Sequence, residues 1–185
     1  LNAEERRTPQ YPLKTSRVLL TDAQINHARS LAETERVAGN VRKHYVEAAD
    51  FWLNRTDEQI LRLIPPASVP RAFNVGTAGC PEHDTAIYEH GTYPWVRDEE
   101  NPYIVECPVG HETYPSNDFM ADLNNDFVDA DREAPYFDDG WGWVGPPEDH
   151  KYWFVAYACH WHWYRTVLPG VQGLSRAYVL TGDDE

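Results

Sequence analysis

The chain has 185 residues and carries 16 Lys plus Arg against 30 Asp plus Glu, a formal net charge of −14. That balance excludes generic nucleic-acid or anionic-membrane binding, because both need a basic footprint, and no apolar run reaches the length of a spanning helix. The cations are 13 Arg and only 3 Lys; Arg suits bidentate carboxylate or sulfate contacts, so a local anion site inside an acidic shell fits the composition.

Residues 1–20 are polar and irregular, with Pro9 and Pro12, and close on the short apolar Val18-Leu19-Leu20. Thr21-Asp22-Ala23-Gln24 has capping-box spacing, and Ile25, Ala28, Leu31 and Ala32 recur behind it at helical spacing. Val37, Val41, Tyr45, Ala48 and Trp52 predict a second amphipathic helix over 37–53. Thr56-Asp57-Glu58-Gln59 is a second capping box, opening a short helix through Ile60, Leu61 and Ile64 that Pro65-Pro66 must stop. Residues 18–64 are therefore expected to form a helical hairpin or small bundle.

Helical periodicity vanishes over residues 65–150, where 11 of the 14 prolines lie. Ala86-Ile87-Tyr88 and Tyr103-Ile104-Val105-Glu106 are short β-prone pieces between Gly and Pro. A stretch this long without regular structure needs something to pin it, be it a metal, a substrate or a partner domain. From Lys151 the chain turns almost continuously apolar and aromatic to residue 168, which predicts a helix buried on most sides. Pro169 is expected to interrupt it; Val171, Leu174, Ala177, Tyr178 and Leu180 form a last stripe ending at Gly182, a C-terminal cap.

The sharpest chemical signal is Cys80-Pro81-Glu82-His83 followed by Cys107-Pro108-Val109-Gly110-His111. Two Cys/His pairs at knuckle spacing supply tetrahedral sulfur and nitrogen ligands to Zn²⁺, with Cys80, His83, Cys107 and His111 as the candidate set. Two other readings stand beside it: a Cys80–Cys107 disulfide, favoured outside the cytoplasm, and two unrelated turns. Asp122 through Glu133 places acidic oxygens at calcium-loop positions, but Phe127 stands where that turn requires Gly, so an acidic solvated loop is the expectation. Five of the seven tryptophans fall within residues 141–163, and flat aromatic faces stack on sugar rings. On a helix, His160 and His162 point about 200° apart and cannot line one cleft. The plainer reading of this aromatic segment is core packing.

The ordered run Cys80-Pro-Glu-His, Tyr93-Pro94-Trp95, Pro102, Cys107-Pro-Val-Gly-His and Tyr114-Pro115 resembles the N-terminal region of heparinase II/III-like polysaccharide lyases. Asp138-Asp139-Gly140-Trp141-Gly142-Trp143 followed by Tyr152-Trp153-Phe154-Val155-Ala156-Tyr157 does so too, as does the segment from Leu174 to Asp183. The resemblance covers roughly residues 15–183 and implies a mainly α fold, the start of an (α/α) toroid built of helical hairpins, with a small β or zinc-ribbon-like insertion. One departure is that relatives often carry Cys-Pro-x-Cys-Gly at the second knuckle, where this chain has Gly110-His111.

Such lyases cleave acidic, uronate-containing polysaccharides of glycosaminoglycan or alginate type by β-elimination. The resemblance places the catalytic Asn-His motif downstream of the last helix and a further His on a following β-sheet domain. Asn26-His27 lies far too early to match. The expectation is thus a helical portion of a secreted or periplasmic parent enzyme, inactive alone, partnered by that downstream β-sheet domain. Trp141, Trp143 and His160 are the candidate sugar-contacting residues. The alternative is a non-catalytic carbohydrate-binding or scaffold module with a structural zinc ribbon.

Overall fold

The computed structural model describes residues 19–70, 79–146 and 149–183. The polar stretch before Leu19, with Pro9 and Pro12, lies outside them. The chain divides into two compact units, one made of the residues up to Ala49 with those from Gly173 onward, the other of Asp50–Gln172. The described residues are mainly helical with a small antiparallel sheet inserted, and they form no toroid among themselves. No described helix is long and apolar enough to cross a membrane.

In the first unit, helix α1 (Asp22–Thr34) starts at the predicted capping box: Gln24 N–H donates to Thr21 Oγ1 at 3.3 Å, and Thr21 N–H donates to Gln24 Oε1 at 2.8 Å. Helix α2 (Arg36–Leu53) follows almost at once. Val37 and Val41 of its predicted stripe are exposed, whereas Ala49 is buried. The Arg29 guanidinium donates to Val179 O at 2.8 Å, and Arg176 donates to Tyr45 Oη at 3.1 Å while lying over that ring. Gly182 takes φ 80° and donates to Tyr178 O at 2.8 Å, the expected helix cap.

In the second unit, the Thr56–Gln59 capping box opens α3 (Asp57–Arg62), which ends before the Pro pair. Strands β1 (Val96–Arg97), β2 (Val105–Glu106) and β3 (Thr113–Tyr114) form an antiparallel sheet in the order β1-β2-β3, with Val96 opposite Glu106 and Val105 opposite Tyr114. A short helix α4 (Phe119–Asn124) and a hairpin of β4 (Trp143–Gly145) and β5 (His150–Tyr152) precede α5 (Phe154–His162). The irregular middle is thus dense in short elements.

Three local expectations change. Ala86-Ile87-Tyr88 lies in a 3₁₀ helix, Thr85–His90, because Asp84 at φ 46° turns the chain and Ile87 is driven fully into the core. Tyr103 and Ile104 are not strand: a turn closes Ile104 N–H on Asn101 O, and the Tyr103 hydroxyl donates to Arg62 O. Pro169 does not break the last helix. A π turn over Trp163–Val167, closed by Leu168 N–H on Trp163 O, leads directly into α6 (Leu168–Thr181). The five-residue spacing places Pro169 in the second position of a fresh α segment, where its missing N–H is not needed.

Helix α5 is buried almost all round, as its composition predicts, and it serves both cores. Phe154, Tyr157, Ala158 and Trp161 join Cys80, Ile87, Cys107 and Tyr114 in one cluster, while Val155, Ala156 and Cys159 join Val69, Tyr103 and Phe119 in the other. Its helical start falls at Phe154, later than residue 151, because Tyr152 is held in the hairpin opposite Trp143.

Candidate metal centre

Both Cys-Pro knuckles fold as tight backbone turns. Cys80 N–H donates to Asp84 O at 3.0 Å and Asp84 N–H returns to Cys80 O at 2.8 Å. In the second turn Cys107 N–H donates to Glu112 O and His111 N–H to Cys107 O, each at 2.9 Å. Gly79 at φ 71° lets the first turn form, since a Cβ there would collide with the Asp84 backbone. The sheet then brings the knuckles together, β2 ending just before Cys107 and β3 returning at Thr113.

The product is a cluster of Cys80, His83, Cys107 and Glu112 whose ligand atoms all lie within 4.8 Å of one another. His83 Nδ1 is 3.7 Å from Cys80 Sγ, 3.6 Å from Cys107 Sγ and 3.5 Å from a Glu112 carboxylate oxygen. Around tetrahedral Zn²⁺, with Zn–S of about 2.3 Å and Zn–N or Zn–O of about 2.0 Å, sulfur–nitrogen edges are about 3.6 Å and nitrogen–oxygen edges about 3.3 Å. The three edges from His83 Nδ1 are those of such a tetrahedron to within a few tenths of an ångström, and the remaining ligand atoms lie within 4.8 Å of one another. Glu112 Oε2 is buried without a hydrogen-bond partner, the state of an oxygen a cation would satisfy.

Cys80 and Cys107 are buried and unbonded, so the described structure holds no disulfide between them. Burial pushes the Cys80 thiol up, partly offset by the Tyr114 hydroxyl 3.6 Å away. A bound divalent cation reverses that bias, because it stabilises the thiolate directly. Around the cluster, Tyr114 stacks on Phe154 with centroids 4.8 Å apart, and the Tyr136 hydroxyl donates to Glu82, which with burial holds its pKa at about 12.

His111 does not join the cluster. It sits at φ 64° in the second turn with its side chain 73% exposed, and its Nδ1 lies 2.6 Å from Glu106 Oε1. Glu112 takes the fourth place because Gly110 leaves room for it: a Cβ at 110 would collide with both the His83 ring and the Glu112 carboxylate. Sequence reasoning missed Glu112, and the missing side chain at Gly110 was the signal that a neighbour must fill that corner. The acidic stretch from Asp122 assembles no comparable group among the described residues; Asp122 accepts from Asn117 Nδ2 at 2.8 Å instead.

The three candidate sugar contacts lie in different surroundings. Trp141 is 56% exposed. Trp143 packs edge-on against Tyr136 at 4.9 Å and leans on Tyr152 at 5.4 Å, covering the core that holds Cys80 and Cys107. His160 is exposed and lines a cavity of about 420 Å³ with Ile64, Pro65, Pro70, Cys159 and Trp163, to which neither Trp141 nor Trp143 contributes. Partial burial holds its pKa down. His162, by contrast, is 2% exposed, so the two histidines face opposite environments as helical geometry requires.

Comparison of the chain with family models, curated proteins and solved structures finds no match.

Proposed function

We propose that this chain is the helical opening portion of a polysaccharide lyase acting on uronate-containing polysaccharides, in which Zn²⁺ held by Cys80, His83, Cys107 and Glu112 pins the irregular middle segment. The observation that carries the metal assignment is the set of donor spacings around His83 Nδ1, at 3.7, 3.6 and 3.5 Å. The ordered motifs from Cys80 to Asp183 support the lyase reading. Exposed Leu31, Val37 and Val41 are where a further helical hairpin of a toroid would pack.

The metal's role here is structural. Four protein ligands close a tetrahedral site and leave no open position for water or substrate. The thiolates and imidazole cross-link two turns far apart in sequence, which compensates for the few backbone ladders in this region. Proton abstraction and carboxylate neutralisation are assigned to residues of the parent enzyme outside this chain, with Trp141, Trp143 and His160 proposed as parts of the sugar-contacting wall.

Two measurements test this. Metal analysis of the purified chain should give one equivalent of zinc, and cobalt substitution should show thiolate-to-metal charge-transfer bands that weaken in Cys107→Ser and vanish when Cys80 is replaced by Ser as well. The parent enzyme, incubated with hyaluronan, chondroitin sulfate, heparan sulfate and alginate, should raise ultraviolet absorbance as an unsaturated uronate forms. Release of saturated sugars only would make it a hydrolase and remove the lyase reading. Binding without turnover in the parent would favour a carbohydrate-binding module.

A further inference from the structure

A second group of side chains, within Asp50–Gln172 and apart from the metal cluster, has more hydrogen-bond donors than acceptors. His162 closes α5 at 2% exposure, and neither ring nitrogen has a hydrogen-bond partner. Burial, with the charge of Arg97, brings its pKa down to about 4, so at neutral pH it is an uncharged ring that still carries one N–H. The indole N–H of neighbouring Trp161 is likewise buried without a partner.

Arg97, on β1, links these groups. It is half-buried and in no ion pair among the described residues; burial holds its pKa down, the charge of Arg165 adds to that, and Tyr157 and Glu99 oppose it. Glu99 is already engaged: one oxygen pairs with Arg55 and the other accepts the Thr166 hydroxyl at 3.2 Å. Asp98 is also occupied, accepting from Glu100 N–H at 3.0 Å and Asn101 Nδ2 at 2.9 Å. Arg165 lies in the π turn with its guanidinium carbon 5.3 Å above the Trp161 ring. Tyr93, half exposed, covers that indole with centroids 4.4 Å apart.

Arg165 over the Trp161 ring, the buried partnerless nitrogens of Trp161 and His162, and half-buried Arg97 thus leave an excess of donors in a region where Asp98 and Glu99 already accept other hydrogen bonds. Donors without partners are costly, and an oxygen-rich anion is what would complete them. The widened backbone of a π turn, which brings Arg165 over Trp161, is itself a frequent feature of binding sites. We propose that Arg97 and Arg165 form a receptor for the carboxylate of an acidic sugar, backed by Trp161 and His162, with Tyr93 as the flat wall against which the ring lies. The donor surplus carries the anion site; the choice of a sugar carboxylate rests on the uronate reading above.

The test is calorimetric titration of the zinc-loaded chain with a glucuronate-containing tetrasaccharide, with the same tetrasaccharide after its carboxyls are reduced to alcohols, and with sodium sulfate. The acidic tetrasaccharide should bind at least about tenfold more tightly than the reduced one, and Arg97→Gln and Arg165→Gln should each weaken it by about tenfold with unchanged circular dichroism. Arg165 is exposed, so its variant decides the matter even if Arg97→Gln fails to fold. Equal binding of the acidic and reduced sugars overturns the proposal, as does an Arg165→Gln chain with wild-type affinity. Binding of sulfate without binding of the uronate overturns it too. Elimination plays no part in this readout, so a parent that proves to be a hydrolase leaves a positive binding result standing. A parent that eliminates while this chain ignores the carboxylate refutes the receptor alone.

Discussion

Asp138 Oδ2 accepts the backbone N–H of Val155 at 3.1 Å, while Oδ1 accepts the N–H groups of Gly140 and Gly142 at 2.8 Å each. The carboxylate is fully buried and the residue's own N–H donates to Asn117 Oδ1. Trp153, in the N-cap position of α5, makes no side-chain cap, so Asp138 caps that helix from a distant segment and ties the Trp141-Gly142-Trp143 loop to it. Burial pushes the carboxyl up and the three backbone donors pull it back down. Asp138→Ala should cost about 4 kcal/mol in urea unfolding, because it strands three buried N–H groups, and Asp138→Asn about 2 kcal/mol. Losses under about 0.5 kcal/mol for both would show that the clamp is dispensable.

Gly110→Ala probes the fourth ligand. The added Cβ occupies the space of the Glu112 carboxylate and His83 ring, so zinc affinity in competition with a chromogenic chelator should fall by about tenfold to a hundredfold. His111→Ala, which removes an exposed ring outside the cluster, should leave affinity within about twofold. The reverse order would restore His111 as the ligand.

His162 gives a pH dependence of definite sign. Its folded pKa of about 4 lies below the ordinary 6.5, so the unfolded chain takes up the proton first as pH falls. Stability from this group is whole above about pH 7 and declines by about 3 kcal/mol between pH 6.5 and 4. His162→Gln should flatten that part of the stability profile, and an unchanged slope would place the titration elsewhere.

The isolated chain should show no elimination on the uronate substrates, since a base and a carboxylate neutraliser must be held in register and a misplacement of about 1 Å costs about a hundredfold. Turnover that vanishes on His160→Ala would move the catalytic centre into these residues.

Both capping boxes, the buried helix expected from residue 151 but begun at Phe154, and three of the four cluster residues, Cys80, His83 and Cys107, were legible because each depends on neighbours in sequence, whereas His111 was not the fourth. Thr21 with Gln24, or Cys80 with His83, states its geometry within four residues. Ile87 reads as strand by composition, yet the turn at Asp84 and the demand of the core make it 3₁₀. Glu112 and Asp138 stood among many acidic residues: Gly110 alone hints at the first, whose Oε2 is turned inward by the sheet, and loop closure is what buries the second. Arg97 and His162 are far apart in sequence, so the influence of one charge on the other ring is a property of the fold.

Residues Trp163–Val167 contain one residue more than an α turn would use, and Gly170 comes soon after them with Trp52 so close that a Cβ at 170 would enter the indole. The π turn therefore acts as a phase adjuster, setting which face of α6 meets Trp52. The wider turn absorbs that extra residue, so removing one residue between 163 and 167 would restore regular α geometry with the start of α6 in nearly the same phase, whereas a further residue that the turn did not absorb would rotate it by about 100° and bring a side chain under that indole in place of the glycine. A one-residue deletion in this short segment should therefore be tolerated better than a one-residue insertion.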